Sequence, residues 1–114
     1  MQNDEATPRA KDILMNFEEG MRFCLKEFGV RPQVGWQLDP FGFSSATPEI
    51  LKAVGINRLV INRIPEAHKE VMRKNQDLEF VWQGDGEEEI YVHTLHGMYG
   101  IDYNFKMDQR WYAP

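Results

Sequence analysis

The sequence predicts an α/β fold of alternating helices and mostly parallel strands, and three observations lead there. Apolar residues recur at helical spacing in one long segment and in short runs elsewhere. Glycines and prolines punctuate the boundaries between these segments. Their order is helix, strand, helix, strand, helix, strand, strand, an alternation that favours βαβ units and right-handed crossovers.

The elements follow in turn. Residues 1–9 are polar and end in Thr7-Pro8, a loop or a helix entrance. Ile13, Leu14, Phe17, Met21, Cys24, Leu25 and Phe28 then fall on one face of a helix, and Gly29 is placed to end it. Cys24 on that stripe reads as a buried, inert thiol. Gln33–Leu38 reads as a strand closed by the turn Asp39-Pro40-Phe41-Gly42. Thr47 suits an N-cap and Pro48 the first position of a second helix, which Gly55 stops. Arg58–Asn62 is a short apolar run fit for a buried parallel strand. A third helix spans about Glu66–Lys74, Leu78–Trp82 is a third strand, Gly84-Asp85-Gly86 turns the chain, and Ile90–Leu95 is a fourth strand. Trp36 and Trp82 read as core aromatics, and Glu87–Glu89 as a solvated loop. The stretch from Gly97 is aromatic, glycine-rich and irregular. So few strands leave parallel edges unprotected, which predicts a section of something larger and poor solubility alone.

Composition excludes several classes. The chain has 114 residues, at most one domain. With 13 basic and 18 acidic residues its net charge is −5, which disfavours nucleic-acid partners because phosphate binding needs a basic face. One cysteine makes neither an internal disulfide nor a cysteine-rich zinc site. No apolar run reaches 18 residues, so no membrane span is expected in this chain, and the first residues lack the apolar core of a signal peptide. His93 and His96 lie three apart on a strand, on opposite faces, and make a poor chelating pair. His68 sits in a polar helix and reads as solvated.

The turn Asp39-Pro40-Phe41-Gly42 is by itself an ordinary turn, since Asp readily accepts backbone hydrogen bonds there. Its surroundings add more. Gly35–Ser44, reading G-W-Q-L-D-P-F-G-F-S, resembles the D-P-F-G-H-S signature of glycoside hydrolase family 38, the class II α-mannosidases. Asn3-Asp4-Glu5-Ala6 is similar to the family's M-N-D-E-A segment, with Gln2 in place of Met. Val60–Ile64, Leu78–Trp82 and Ile90–Leu95 resemble three further family segments in the same order, and Tyr99 lies near a family tyrosine.

The resemblance implies that residues 1–114 are a fragment of the family's N-terminal catalytic domain, hence a partial (β/α) barrel. It implies a retaining α-mannosidase that hydrolyses terminal α-mannose from oligosaccharides or glycoproteins, with zinc as cofactor and a mannose-containing oligosaccharide as partner. Asp39 is then the nucleophile and also a zinc ligand, at the end of a strand where barrel enzymes place catalytic groups. Phe41 matches an aromatic that packs on the sugar, and Arg63 an arginine beside the nucleophile, able to pair with Asp39 or position a hydroxyl. A lysosomal or secretory compartment is implied for a full-length relative. The other zinc ligands, an H-x-D pair and a later histidine, and the acid/base have no counterparts in this sequence, and Phe43 replaces the signature histidine. The isolated chain is therefore expected to be inactive and not to hold zinc stably, because zinc needs three or four protein ligands. A non-catalytic carbohydrate- or partner-binding remnant of the family is the alternative.

Overall fold

The computed structural model describes residues 3–97. The expectations for Tyr99 and most of the C-terminal stretch lie outside those residues. The element order is α1 (Ala10–Phe28), β1 (Val34–Gln37), α2 (Thr47–Ala53), β2 (Arg58–Ile61), α3 (Glu66–Asn75), β3 (Glu79–Gln83) and β4 (Glu89–Thr94). Each predicted element is present, with ends shifted by at most three residues. Among the described residues no helix is long and apolar enough to cross a membrane.

The four strands form one sheet in the order β1-β2-β4-β3. β1 pairs with β2 and β2 with β4 in parallel, whereas β3 and β4 form an antiparallel hairpin. The result is a mixed α/β fold with a small, mostly parallel sheet. Its two edges differ: β1 presents a parallel-type edge, and the other edge is the antiparallel strand β3.

Strand alternation sorts side chains onto two faces. Leu59, Ile61, Ile90 and Val92 point to one face, where they pack with Met21 of α1, Leu51 of α2, and Val54 and Ile56 beyond it. Leu14, Phe17, Phe43, Phe80 and Trp82 extend this core. The opposite face carries Val34, Trp36, Val60, Val81, Tyr91 and His93, and all of these except Trp36 line an open groove of about 500 Å³. Trp36 is therefore not a core residue; it is 58% exposed on that uncovered face. The alternation that buries Gly35 and Gln37 sends Trp36 the other way. Trp82 does join the core margin, edge-on to Phe43 at 6.1 Å between ring centroids.

The helices follow their local signals with two corrections. Gly29 ends α1 in the left-handed region at φ 66°, and its N–H donates to the Leu25 carbonyl at 3.0 Å. Only the first half of the α1 stripe meets the core. Ile13 and Met21 are buried, but Leu25 and Phe28 are exposed and Cys24 is half-buried rather than enclosed. Thr47 is not the N-cap of α2. It is the first helical residue after Ala46, and its hydroxyl donates to Glu5 instead. Glu87–Glu89 are exposed as expected, while the Gly84-Asp85-Gly86 turn before them is held in place. It docks on the start of α2: the Gly86 N–H donates to Glu49 Oε1 at 2.8 Å, the Asp85 N–H to the Ser45 carbonyl at 3.2 Å, and the Ser45 hydroxyl to the Asp85 carboxylate.

Candidate functional site

The C-terminal ends of the parallel strands bring the predicted site residues together. β1 ends at Gln37, and Asp39 follows after the buried Leu38. β2 ends at Ile61, and the buried Asn62 leads into Arg63. Because β1 and β2 run parallel with Gln37 opposite Ile61, Asp39 and Arg63 leave the sheet side by side. Arg63 Nε and Nη2 both donate to Asp39 Oδ1, at 2.8 and 2.6 Å. The same guanidinium lies 4.3 Å from the centre of the Phe41 ring. A cation so placed is drawn both to the carboxylate and to the ring face. Phe41 itself is 85% exposed, so its other surface faces solvent.

The Arg63 end is set by its neighbours. The Ile64 N–H donates to the Asn62 carbonyl at 2.8 Å and closes a tight turn. Lys69 of α3 is buried, and its ammonium donates to Asn62 Oδ1 at 2.7 Å. Burial lowers the Lys69 pKa, because a desolvated ammonium is costly. Arg73 ties the same helix to the His96 carbonyl at 2.8 Å and to Glu66, whose carboxyl this bond holds below its ordinary value.

Beside Asp39 lies a cleft of about 540 Å³, lined by residues 3–6 and 39–44. Its walls carry the carboxylates of Asp4, Glu5 and Asp39. Glu5 is the residue that sequence reasoning missed. Its Oε2 accepts from the Thr47 hydroxyl at 2.8 Å and the Ser44 N–H at 3.3 Å; its Oε1 accepts from Asn3 at 3.0 Å and Gln37 at 3.3 Å. The available signal was the Asn3–Ala6 resemblance, which marked the segment without assigning a role.

Five sequence segments in family order, and a carboxylate, guanidinium and aromatic converging at strand ends, invite comparison with known proteins. The model of the glycosyl hydrolases family 38 N-terminal domain matches residues 1–111. The chain belongs to glycosyl hydrolase family 38. It is 40% identical over 97 residues to the epididymis-specific alpha-mannosidase of Sus scrofa, a match covering 82% of this chain and 10% of that protein. It is 35% identical over 114 residues to alpha-mannosidase E of Dictyostelium discoideum, covering 96% of this chain and 10% of that protein. The human epididymis-specific alpha-mannosidase is 35% identical over 97 residues, with 82% and 10% covered. The chain thus spans about a tenth of the length of these family 38 relatives, all of which are named as glycosidases.

The zinc expected from the family has a limited donor set here. Among the described residues no three His, Cys, Asp or Glu side chains stand together as a metal site. Asp39 Oδ1 is engaged by Arg63, and His93 Nδ1 lies 2.6 Å from Glu79 on the open sheet face. The described residues alone do not fit a zinc ion.

Proposed function

We propose that this chain carries part of the substrate site of a retaining α-mannosidase, with Asp39 as its nucleophile. The reading is supported above all by the Arg63–Asp39–Phe41 cluster at the strand ends beside the cleft. In a retaining mechanism one carboxylate attacks the anomeric carbon as the aglycone oxygen leaves with a proton from a second carboxyl, some 5–5.5 Å away. Asp39 is the attacking group. Arg63 donates two hydrogen bonds to it and fixes its rotamer, and Phe41 offers an apolar face to the sugar ring. A terminal α-mannose of an oligosaccharide or glycoprotein is the substrate. The open sheet face is the interior of a (β/α) barrel of which these strands form an arc. Asp39 also serves as one zinc ligand in the complete domain, the remaining ligands and the acid/base being supplied from outside the described residues. The 114-residue chain by itself is inactive. For a full-length relative the resemblance implies a lysosomal or secretory compartment.

The test is hydrolysis of an aryl α-mannoside by the complete catalytic domain with and without Asp39→Asn. The substitution keeps the shape and removes the nucleophile, so the rate should fall by at least about 10⁴-fold. A loss of less than about tenfold refutes the assignment. Turnover by the pure, metal-supplied 114-residue chain would refute its incompleteness. A second reading, carbohydrate binding without catalysis, is favoured by the 85% exposure of Phe41 next to a charged pair. It predicts mannose-induced shifts of the Phe41 and Arg63 NMR signals but no turnover by any form of the protein.

A further inference from the structure

The Glu5 carboxylate receives donors from both sides of the loop that carries Asp39. Gln37 lies two residues before Asp39 and ends β1; its side-chain amide reaches Glu5 Oε1 at 3.3 Å and Asn3 Oδ1 at 2.9 Å. Ser44 lies five residues after Asp39, and Thr47 opens α2; the Ser44 N–H and the Thr47 hydroxyl reach Glu5 Oε2. Gln37 and Thr47 are buried, so these bonds are made with little competing water. One side chain therefore bridges the two ends of the short stretch holding Asp39 and Phe41.

The four contacts can all be donors, and the two oxygens of a carboxylate have acceptor sites for all of them. A glutamine there would turn its own NH₂ toward at least one N–H. Fixing both ends of a loop removes much of its conformational freedom. We infer that Glu5 is a positioning residue for the nucleophile loop: it sets the reach of Asp39 and Phe41 toward Arg63 without touching the reacting atoms. The catalytic meaning of this inference rests on Asp39 being the nucleophile, whereas the geometry it predicts does not.

The test is NMR of the labelled chain in the wild type, Glu5→Gln and Thr47→Val. The readouts are the Arg63 Nε–H signal, shifted by the Asp39 hydrogen bond, and the Arg63 side-chain protons, shifted by the Phe41 ring current. Amide protection of Leu59 and Val92 in the sheet reports folding independently. In Glu5→Gln the Arg63 signals should move more than about half-way to their unfolded positions while sheet protection is kept. Thr47→Val, which removes one of the four donors, should move them less and in the same direction. Unchanged Arg63 signals in a folded Glu5→Gln protein overturn the inference. So does an equal loss of sheet protection and Arg63 shift, which would make Glu5 a general staple. If Glu5→Gln does not fold, Thr47→Val decides on the same criteria. Failure of mannoside hydrolysis or mannose binding would leave these signals as they are, so the two readings fail separately.

Discussion

Replacing Gly84 by alanine probes how the hairpin turn is seated. A Cβ built there lies 1.9 Å from the Ser45 carbonyl oxygen and 2.9 Å from Glu49 Oε2. A side-chain carbon essentially never comes closer than about 3.0 Å to such an oxygen, and favourable C–H···O contacts lie at about 3.3–3.6 Å. The obstacle is backbone, so the hairpin tip must retreat by more than about 1 Å. That breaks the Asp85–Ser45 backbone bond, the Ser45 hydroxyl bond to Asp85 and the Gly86 bond to Glu49. One neutral backbone bond at about 1 kcal/mol and two to carboxylates at about 1.5 kcal/mol each give roughly 4 kcal/mol, trimmed by their exposure to about 2–3 kcal/mol. With an m-value of about 1–3 kcal/mol/M, the urea midpoint should fall by about 1–2 M, a large part of a small domain's stability. Urea unfolding followed by circular dichroism measures it. A fall of less than about 0.3 M at unchanged m would refute the reasoning, since the turn would then be free to move without loss.

Gly20 offers the opposite case. It lies inside α1 with nothing within 4 Å of a built Cβ, so Gly20→Ala should raise stability by about 0.5–1 kcal/mol in the same assay, and a decrease would count against the helix register. Lys69 predicts a pH dependence. Its folded pKa lies below the ordinary 10.5, so between the two values the unfolded chain binds more protons and stability rises with pH. The stability of the wild type minus that of Lys69→Met should therefore increase as the pH climbs toward 10.5, read from urea midpoints, whereas parallel curves would mean Lys69 titrates normally.

Much of this fold was legible because its signals are local. Gly29 and Gly55 stop helices where a left-handed residue is needed, and both take positive φ. The apolar runs Arg58–Ile61 and Ile90–Val92 needed no partner to be recognised as strands. What is set by distant residues was not legible. The hairpin pattern of β3 and β4 holds equally well on either side of β2, and only packing chooses the order that places β4 inside. Trp36 looks like core from its type, yet its face depends on whether Gln37 or Trp36 turns toward the helices. Thr47 has the chemistry of a cap, but Glu5, 42 residues earlier in the chain, takes its hydroxyl. The meeting of Asp39 with Arg63 follows from two strand ends in parallel register, which local patterning cannot supply; the family resemblance pointed to it. The Glu5 network stayed hidden because a short polar segment reads as loop unless its partners are known.

The strand order also has a consequence for the nascent chain. β2 leaves the ribosome with one edge taken by β1 and the other waiting for β4, which is synthesised about thirty residues later, after α3 and β3. At typical elongation rates that interval lasts on the order of a few seconds, far longer than the microseconds in which a hairpin forms. Throughout it, Leu59 and Ile61 stand beside an unpaired backbone edge. β3, arriving first, pairs with β4 and with no other strand among the described residues. Any early attachment of β3 to β2 must be undone before β4 can insert between them.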